Sequence, residues 1–143
     1  MLPYHLRRQE KALTTREALL EIIHSQRYLT LALCKEGQPY LVTVNYGFDP
    51  ATECFYFHCA GEGKKLDYLQ ANPRVWGQIL ADDGYLPGEC DHAFRSVHFE
   101  GRAALLTDRE AKRQALRLMI DQLEPDRSRS RRASPQRIAV LTA

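Results

Sequence analysis

The sequence predicts a mainly β protein, a small six-stranded antiparallel barrel of Greek-key type with helices packed against it. Three observations carry this expectation. Apolar residues between positions 28 and 106 recur with period two in short runs bounded by turn residues. Helical periodicity is confined to two longer stretches and a short one, which do not alternate with strands as a parallel βαβ sheet requires. Gly101 stands inside the longest strand-like run, where a bulge or bend would turn a barrel corner.

The first element is a helix opening at Thr14 or Thr15. Thr14 and Glu17 have capping-box spacing, and Ala18, Leu19, Ile22 and Ile23 form an apolar stripe. From Tyr28 to Cys34, Leu29, Leu31 and Leu33 alternate with Tyr28, Thr30, Ala32 and Cys34. Lys35-Glu36-Gly37-Gln38 turns the chain, and Tyr40 to Tyr46 returns it. After the turn Asp49-Pro50-Ala51-Thr52, Cys54 to His58 completes three consecutive antiparallel strands. A short helix from Lys64 stops at Asn72-Pro73, because proline disfavours helical geometry in the residue before it.

Arg74 to Ala81 reads as a fourth strand, Asp82 to Ala93 as a long loop bordering a site or a partner subunit, and Phe94 to Leu106 as a fifth strand. Thr107 and Glu110 predict a second capping box. The helix they open carries Ala111, Ala115, Leu116, Met119 and Leu123 on one face and ends before Pro125. Gln136 to Thr142 is a short last strand and a candidate sheet edge. The expectation is one domain over 1–143, with an N-terminal arm (1–13), a basic flexible linker (125–135) and the last strand (136–143).

Composition is that of an ordinary soluble domain: 143 residues, 44% apolar, 27% charged, formal net charge +2. That charge is too small to argue for nucleic acid from the whole chain, although Arg127-Ser128-Arg129-Ser130-Arg131-Arg132 is a local basic run, read as a solvated linker. No apolar run approaches the roughly 20 residues that cross a bilayer, and the polar N-terminal stretch lacks the core of a secretory signal, so a cytoplasmic location is expected. Cys34, Cys54, Cys59 and Cys90 are scattered, which predicts reduced thiols. Cys59, Cys90, His58 and His92 lack the paired spacing of a metal site, so no metal is expected.

The most informative stretch runs from Phe55 to Pro73. An aromatic strand enters a loop holding Gly61 and Gly63, and a short helix then opens with Lys64 and Lys65. Glycines permit close backbone approach, a helical first turn presents unpaired N–H groups, and two ammonium groups add charge there, so an anion such as phosphate is the natural guest. A solvated helix start after an ordinary turn is the plainer alternative. The loop lacks GxGxxG spacing, so a dinucleotide fingerprint is not supported.

The same stretch resembles the flavin-binding core of the pyridoxamine 5'-phosphate oxidase-like split barrels. Gly63-Lys64-Lys65 stands where that superfamily has Ser-Arg-Lys, with Leu69 and Asn72-Pro73 at matching distances. Phe94-Arg95-Ser96-Val97-His98-Phe99-Glu100-Gly101 resembles the superfamily's Arg-Gln-Val-x-x-x-Gly strand. The stretch from His58 to Lys65, with the strand from Pro39 to Gly47, looks most like the nitroimidazole-resistance branch.

The resemblance implies an FMN-binding oxidoreductase that uses a small-molecule substrate and an electron donor. It implies a homodimer whose site lies between subunits. Lys64 and Lys65 would hold the FMN phosphate, and His58 and Cys59 would border the cofactor. Val42, Thr43, Val44 and Asn45 would present backbone to the ring, with Ser96 near it. His58 is the candidate catalytic proton donor, with a structural role at the strand end as its alternative; Trp76 and Tyr85 are candidate pocket walls, or core. Replacing Ser-Arg by Gly63-Lys64 removes a hydroxyl donor and exchanges a bidentate fork for a point charge. The C-terminal Arg-x-His segment of true pyridoxamine phosphate oxidases is missing, which speaks against that substrate. A non-enzymatic flavin or haem carrier is the rival reading, and a nucleic-acid-binding barrel a more distant one.

Overall fold

The computed structural model describes residues 7–124 and, for the backbone alone, 137–142. The Arg127 to Arg132 run, the 125–135 linker and the first six residues of the arm lie outside the described residues. Seven strands form one antiparallel sheet: β1 (Tyr28–Lys35), β2 (Gln38–Asn45), β3 (Gly47–Asp49), β4 (Cys54–Cys59), β5 (Arg74–Leu86), β6 (Asp91–Leu105) and β7 (Arg137–Thr142). Their order is β2-β1-β5-β6-β7-β4-β3. The two edges of this sheet, β2 and β3, are consecutive stretches of chain separated by Tyr46 alone. They form one bent strand that brings the sheet round on itself, so the expected six strands become seven by a break at Tyr46.

The expected run of three neighbouring strands does not form. β1 pairs with β2, but β4 pairs with β3 and β7. The bend after Asn45 carries the chain to the opposite edge before it turns. β7 is likewise no edge: it lies between β6 and β4 and bonds to both.

Inward positions build one core. Leu29, Leu31 and Leu33 of β1 meet Phe55 and Phe57 of β4 and Val75 and Ile79 of β5. Gly77 pairs with Phe99, and the ring lies where a side chain at 77 would stand, since a Cβ there would be 2.1 Å from the Phe99 ring. Phe99 in turn stacks on Phe55 at 4.5 Å, and Phe55 meets Phe48 at 4.6 Å. Gly101 is in register with Val75, so the expected bulge is not there. The irregularity falls between Asp82 and Tyr85 instead.

β5 and β6 also run further than expected, turning the predicted Asp82 to Ala93 loop into the end of a long hairpin. Most of its residues are exposed, and its few apolar ones do not alternate, so no strand pattern announces them. What holds them is polar: Asp82 accepts from the Gly84 N–H and bonds Nε2 of His92, and Arg95 bridges Asp83 and Glu21. The His92 bond, with the Gly84 N–H, holds the Asp82 carboxyl below the usual carboxylate range.

Three α-helices flank the sheet within the described residues. Helix α1 (Arg16–Ser25) is capped by Thr15, whose Oγ1 accepts from the Ala18 N–H, so the Thr14/Glu17 box is not used. α1 buries Ile22 and Ile23, and the Tyr46 hydroxyl donates to the Ile23 carbonyl. Helix α2 is Lys64–Ala71. Helix α3 (Arg109–Leu123) is capped by Asp108 rather than Thr107. It packs Ala115 and Met119 inward, with Met119 atoms about 3 Å from where a Cβ at Gly47 would sit.

Candidate functional site

β4 delivers the chain to Cys59, and Gly63 bridges loop and helix at φ 135°, a conformation that suits only glycine. No side chain caps α2, and its first internal bond runs from the Asp67 N–H to the Gly63 carbonyl. The N–H groups of the first turn are therefore open to an acceptor. At the other end, Asn72 closes the helix. Its N–H returns to the Tyr68 carbonyl, its amide donates to the Cys34 carbonyl at 3.0 Å, and its Oδ1 accepts from the Arg74 N–H at 3.1 Å. The Asn-Pro pair thus fixes α2 between β1 and β5.

The two lysines behave differently. Lys64 is exposed and its Nζ lies 4.3 Å from the Tyr40 ring centroid and 5.7 Å from that of Tyr68. These rings pack together at 5.2 Å. The quadrupoles of two aromatic faces attract the ammonium while leaving its hydrogens free for a second acceptor. Lys65 is half-buried and acts on Cys59, whose thiol is pushed up by burial and partly drawn back down by this charge. Cys59 is a core residue, and only its main chain can border a ligand.

β2 runs away from this corner. Val42 and Val44 point toward the core, and Thr43 and Asn45 face outward. The Asn45 amide is committed to the Arg27 carbonyl. Among the described residues β2 pairs on one side only, with β1, which leaves an outer main-chain edge at Val42 to Asn45. Ser96 sits on β6 opposite Leu80, three strands away from β2 or roughly 14 Å at ordinary strand spacing. His58 is exposed on β4, with no side-chain hydrogen bond or ion pair among the described residues. A single chain therefore gathers Lys64, Lys65 and Cys59 at one barrel end but does not bring Ser96 to them. Trp76 lies on the outer face, 42% exposed, and Tyr85 is on the β5–β6 hairpin, so neither is core.

Two residues escaped the sequence reading. Tyr68, four positions after Lys64, was within reach of helical spacing. Tyr40 needed the β1–β2 register and the placement of α2. Among the described residues no group of three His, Cys, Asp or Glu side chains has the arrangement of a metal site.

An antiparallel sheet whose two edges, β2 and β3, are consecutive stretches of one bent strand, with helices outside it, has the architecture of a split barrel. The chain belongs to the pyridoxamine 5'-phosphate oxidase family, whose model matches residues 15–142. No curated protein matches it. Among solved structures it is similar to the flavocytochrome Anf3 of Azotobacter vinelandii, at TM-score 0.81 and 21% identity, covering 97% of this chain and 68% of that one. It is similar to the FAD and haem binding protein of Mycobacterium smegmatis, at TM-score 0.75 and 23% identity over 92% of this chain and 67% of that one. A candidate 5-nitroimidazole antibiotic resistance protein of Bacteroides thetaiotaomicron gives TM-score 0.73 and 20% identity over 91% and 80%.

Proposed function

We propose that the protein is an FMN-binding flavoprotein, an oxidoreductase of the nitroimidazole-reductase type that passes electrons between a reduced cofactor and a small organic molecule. The observation that carries this reading is the uncapped, glycine-hinged start of α2 with Lys64 and Lys65 beside it. Open N–H groups and two ammonium groups fit a phosphate ester. Along the outer edge of β2, unpaired among the described residues, Thr43 lies about 10 Å from Tyr40 beside Lys64, a separation suited to a ligand whose phosphate and ring are joined by a chain.

When bound, the flavin supplies the electron transfer. The chain's own residues bind and orient it: Lys64 and Lys65 at the phosphate, the main chain of Val42 to Asn45 and of Cys59 along it, and Ser96 from the far strand. His58, whose imidazole is exposed and makes no hydrogen bond or ion pair among the described residues, is the candidate for moving a proton.

A cytoplasmic homodimer belongs to the same proposal. Among the described residues, Tyr28, Leu41, Trp76, Leu80 and Phe94 lie exposed on one sheet face, an apolar grouping of the kind that marks an interaction surface. A second copy would cover it and bring a Ser96 from the partner.

The test is FMN titration of the purified protein, followed by visible absorbance and quenching of flavin fluorescence. A K64A/K65A variant is expected to bind about tenfold more weakly or worse, from the loss of two charged contacts. Protein that never acquires flavin absorbance overturns the reading. Sedimentation should give about twice the chain mass.

A non-enzymatic flavin or haem carrier is favoured by the fold's likeness to the FAD and haem binding protein and to the haem storage protein HutZ of Vibrio cholerae. Turnover with a nicotinamide donor and a nitroaromatic acceptor supports the enzyme; FMN or haem binding without turnover supports the carrier.

A further inference from the structure

Lys64 opens α2 at an exposed position, where a lysine side chain ordinarily moves among many rotamers. Here it is held. Its Nζ stands 4.3 Å from the centroid of the Tyr40 ring and 5.7 Å from that of Tyr68. The two rings are tilted at 52° to each other, so together they make a corner rather than one flat wall. Both are half-buried and pack against the core, Tyr40 from β2 in register with Leu33 and Tyr68 from within α2. Tyr40 belongs to the inward set of β2 with Val42 and Val44, while Leu41 beside it faces outward. The corner thus lies on the other side of β2 from the apolar face that a second copy would cover.

A carboxylate is the ordinary competitor for such a charge. Asp67 follows Lys64 by three residues in the same helix, a spacing at which an ion pair can form. Among the described residues, however, Lys64 makes no ion pair. A ring face attracts the ammonium through its quadrupole and takes none of its hydrogens, which stay available to an incoming acceptor.

We propose that Tyr40 and Tyr68 are positioning residues for the phosphate of the bound ligand, holding the Lys64 ammonium beside the first turn of α2 before the ligand arrives. Binding then does not have to order a long side chain. A lysine is a point charge on a flexible stem, and a fixed place gives it the preorganisation that a guanidinium has in its planar fork. Lys64 touches the phosphate, and the rings act only through Lys64. That the ligand is a flavin phosphate rests on the proposed function; the placing of Lys64 does not, and the tests separate the two.

In flavin-free protein the Lys64 ε-methylene protons, shielded by the rings, should resonate upfield of those of an exposed lysine, and Y40L should return them toward that position. Parent resonances already at the exposed-lysine position overturn the proposal with no variant needed. In titrations followed by flavin fluorescence, Y40L is expected to bind FMN about threefold more weakly and to bind riboflavin, which lacks the phosphate, as the parent does. Y40F keeps the ring and should match the parent. Y68L should lose less than Y40L, because its ring is the farther from Nζ. In K64M, where the charge is gone, adding Y40L should cost nothing more. Equal losses for FMN and riboflavin, Y40F as weak as Y40L, or an undiminished effect of Y40L in K64M overturns the proposal. If the parent binds no flavin, the proposed function falls and inorganic phosphate becomes the probe. Lys64 resonances that respond at lower phosphate concentration in the parent than in Y40L sustain the positioning role; no response, or the same response in both, overturns it.

Discussion

The side-chain amide of Gln122 occupies the place of a neighbouring strand beside Phe48. It accepts from the Phe48 N–H at 2.8 Å and donates to the Phe48 carbonyl at 2.7 Å. β3 ends the sheet, and a bare edge there would offer unpaired main chain to another molecule. One residue of α3 satisfies both groups and anchors the helix to the barrel. Gln122→Ala is expected to cost about 1–3 kcal/mol, because two half-buried backbone groups lose their partner, and urea denaturation measures it.

Gly77 is expected to tolerate no side chain. Gly77→Ala places a Cβ against a ring already stacked on Phe55, which costs about 1–3 kcal/mol. Gly77→Ala combined with Phe99→Ala should lose less than the sum of the two single changes, since the second removes the clash. Additive losses in thermal unfolding would refute the packing explanation.

Burial pushes the Tyr46 phenol up, well beyond its ordinary value near 10. The folded state therefore binds a proton that the unfolded chain gives up first. Its contribution is complete below about pH 10 and is lost as pH rises from there toward the folded-state value. Tyr46→Phe has no such titration and loses the bond to Ile23, about 1 kcal/mol near neutrality. The stability gap between parent and variant should narrow between about pH 10 and 11. A gap constant across that range contradicts this assignment.

Asn72→Asp keeps the oxygen that accepts from Arg74 and loses the donor to Cys34, whereas Asn72→Ala loses both. Stability should fall in the order parent, Asp, Ala, with the alanine change costing about 1–3 kcal/mol in denaturant midpoints. On the proposed function, FMN affinity should fall with it, because α2 then loses the bonds that fix its C-terminal end between β1 and β5.

Local chemistry was legible where a short segment decides its own conformation. The β1–β2 hairpin, the aromatic strand β4, the helix start at Lys64 and its stop at Asn72-Pro73 all appear where alternation, glycine and proline place them. What escaped was long-range. Nothing in the 38–49 segment announces that Tyr46 marks a crossing from one edge to the other, or that β7 inserts between strands. The β5–β6 extension failed because ion pairs and an Asx-type turn at Asp82, not apolar alternation, hold it. At the candidate site the lysines were evident, but the Tyr40 ring beside Lys64 depends on the β1–β2 register and the placement of α2, which no single stretch encodes.

Pairing between β4 and β7 joins Cys54 to Thr142, so this ladder has a very high contact order and its loop closure is slow. Until that late hairpin-free zipper forms, β6 and β4 each present an unsatisfied flank. A nascent or clipped chain lacking the 137–142 segment would thus be a sticky half-shell rather than a loosened native fold, and its chief hazard would be self-association.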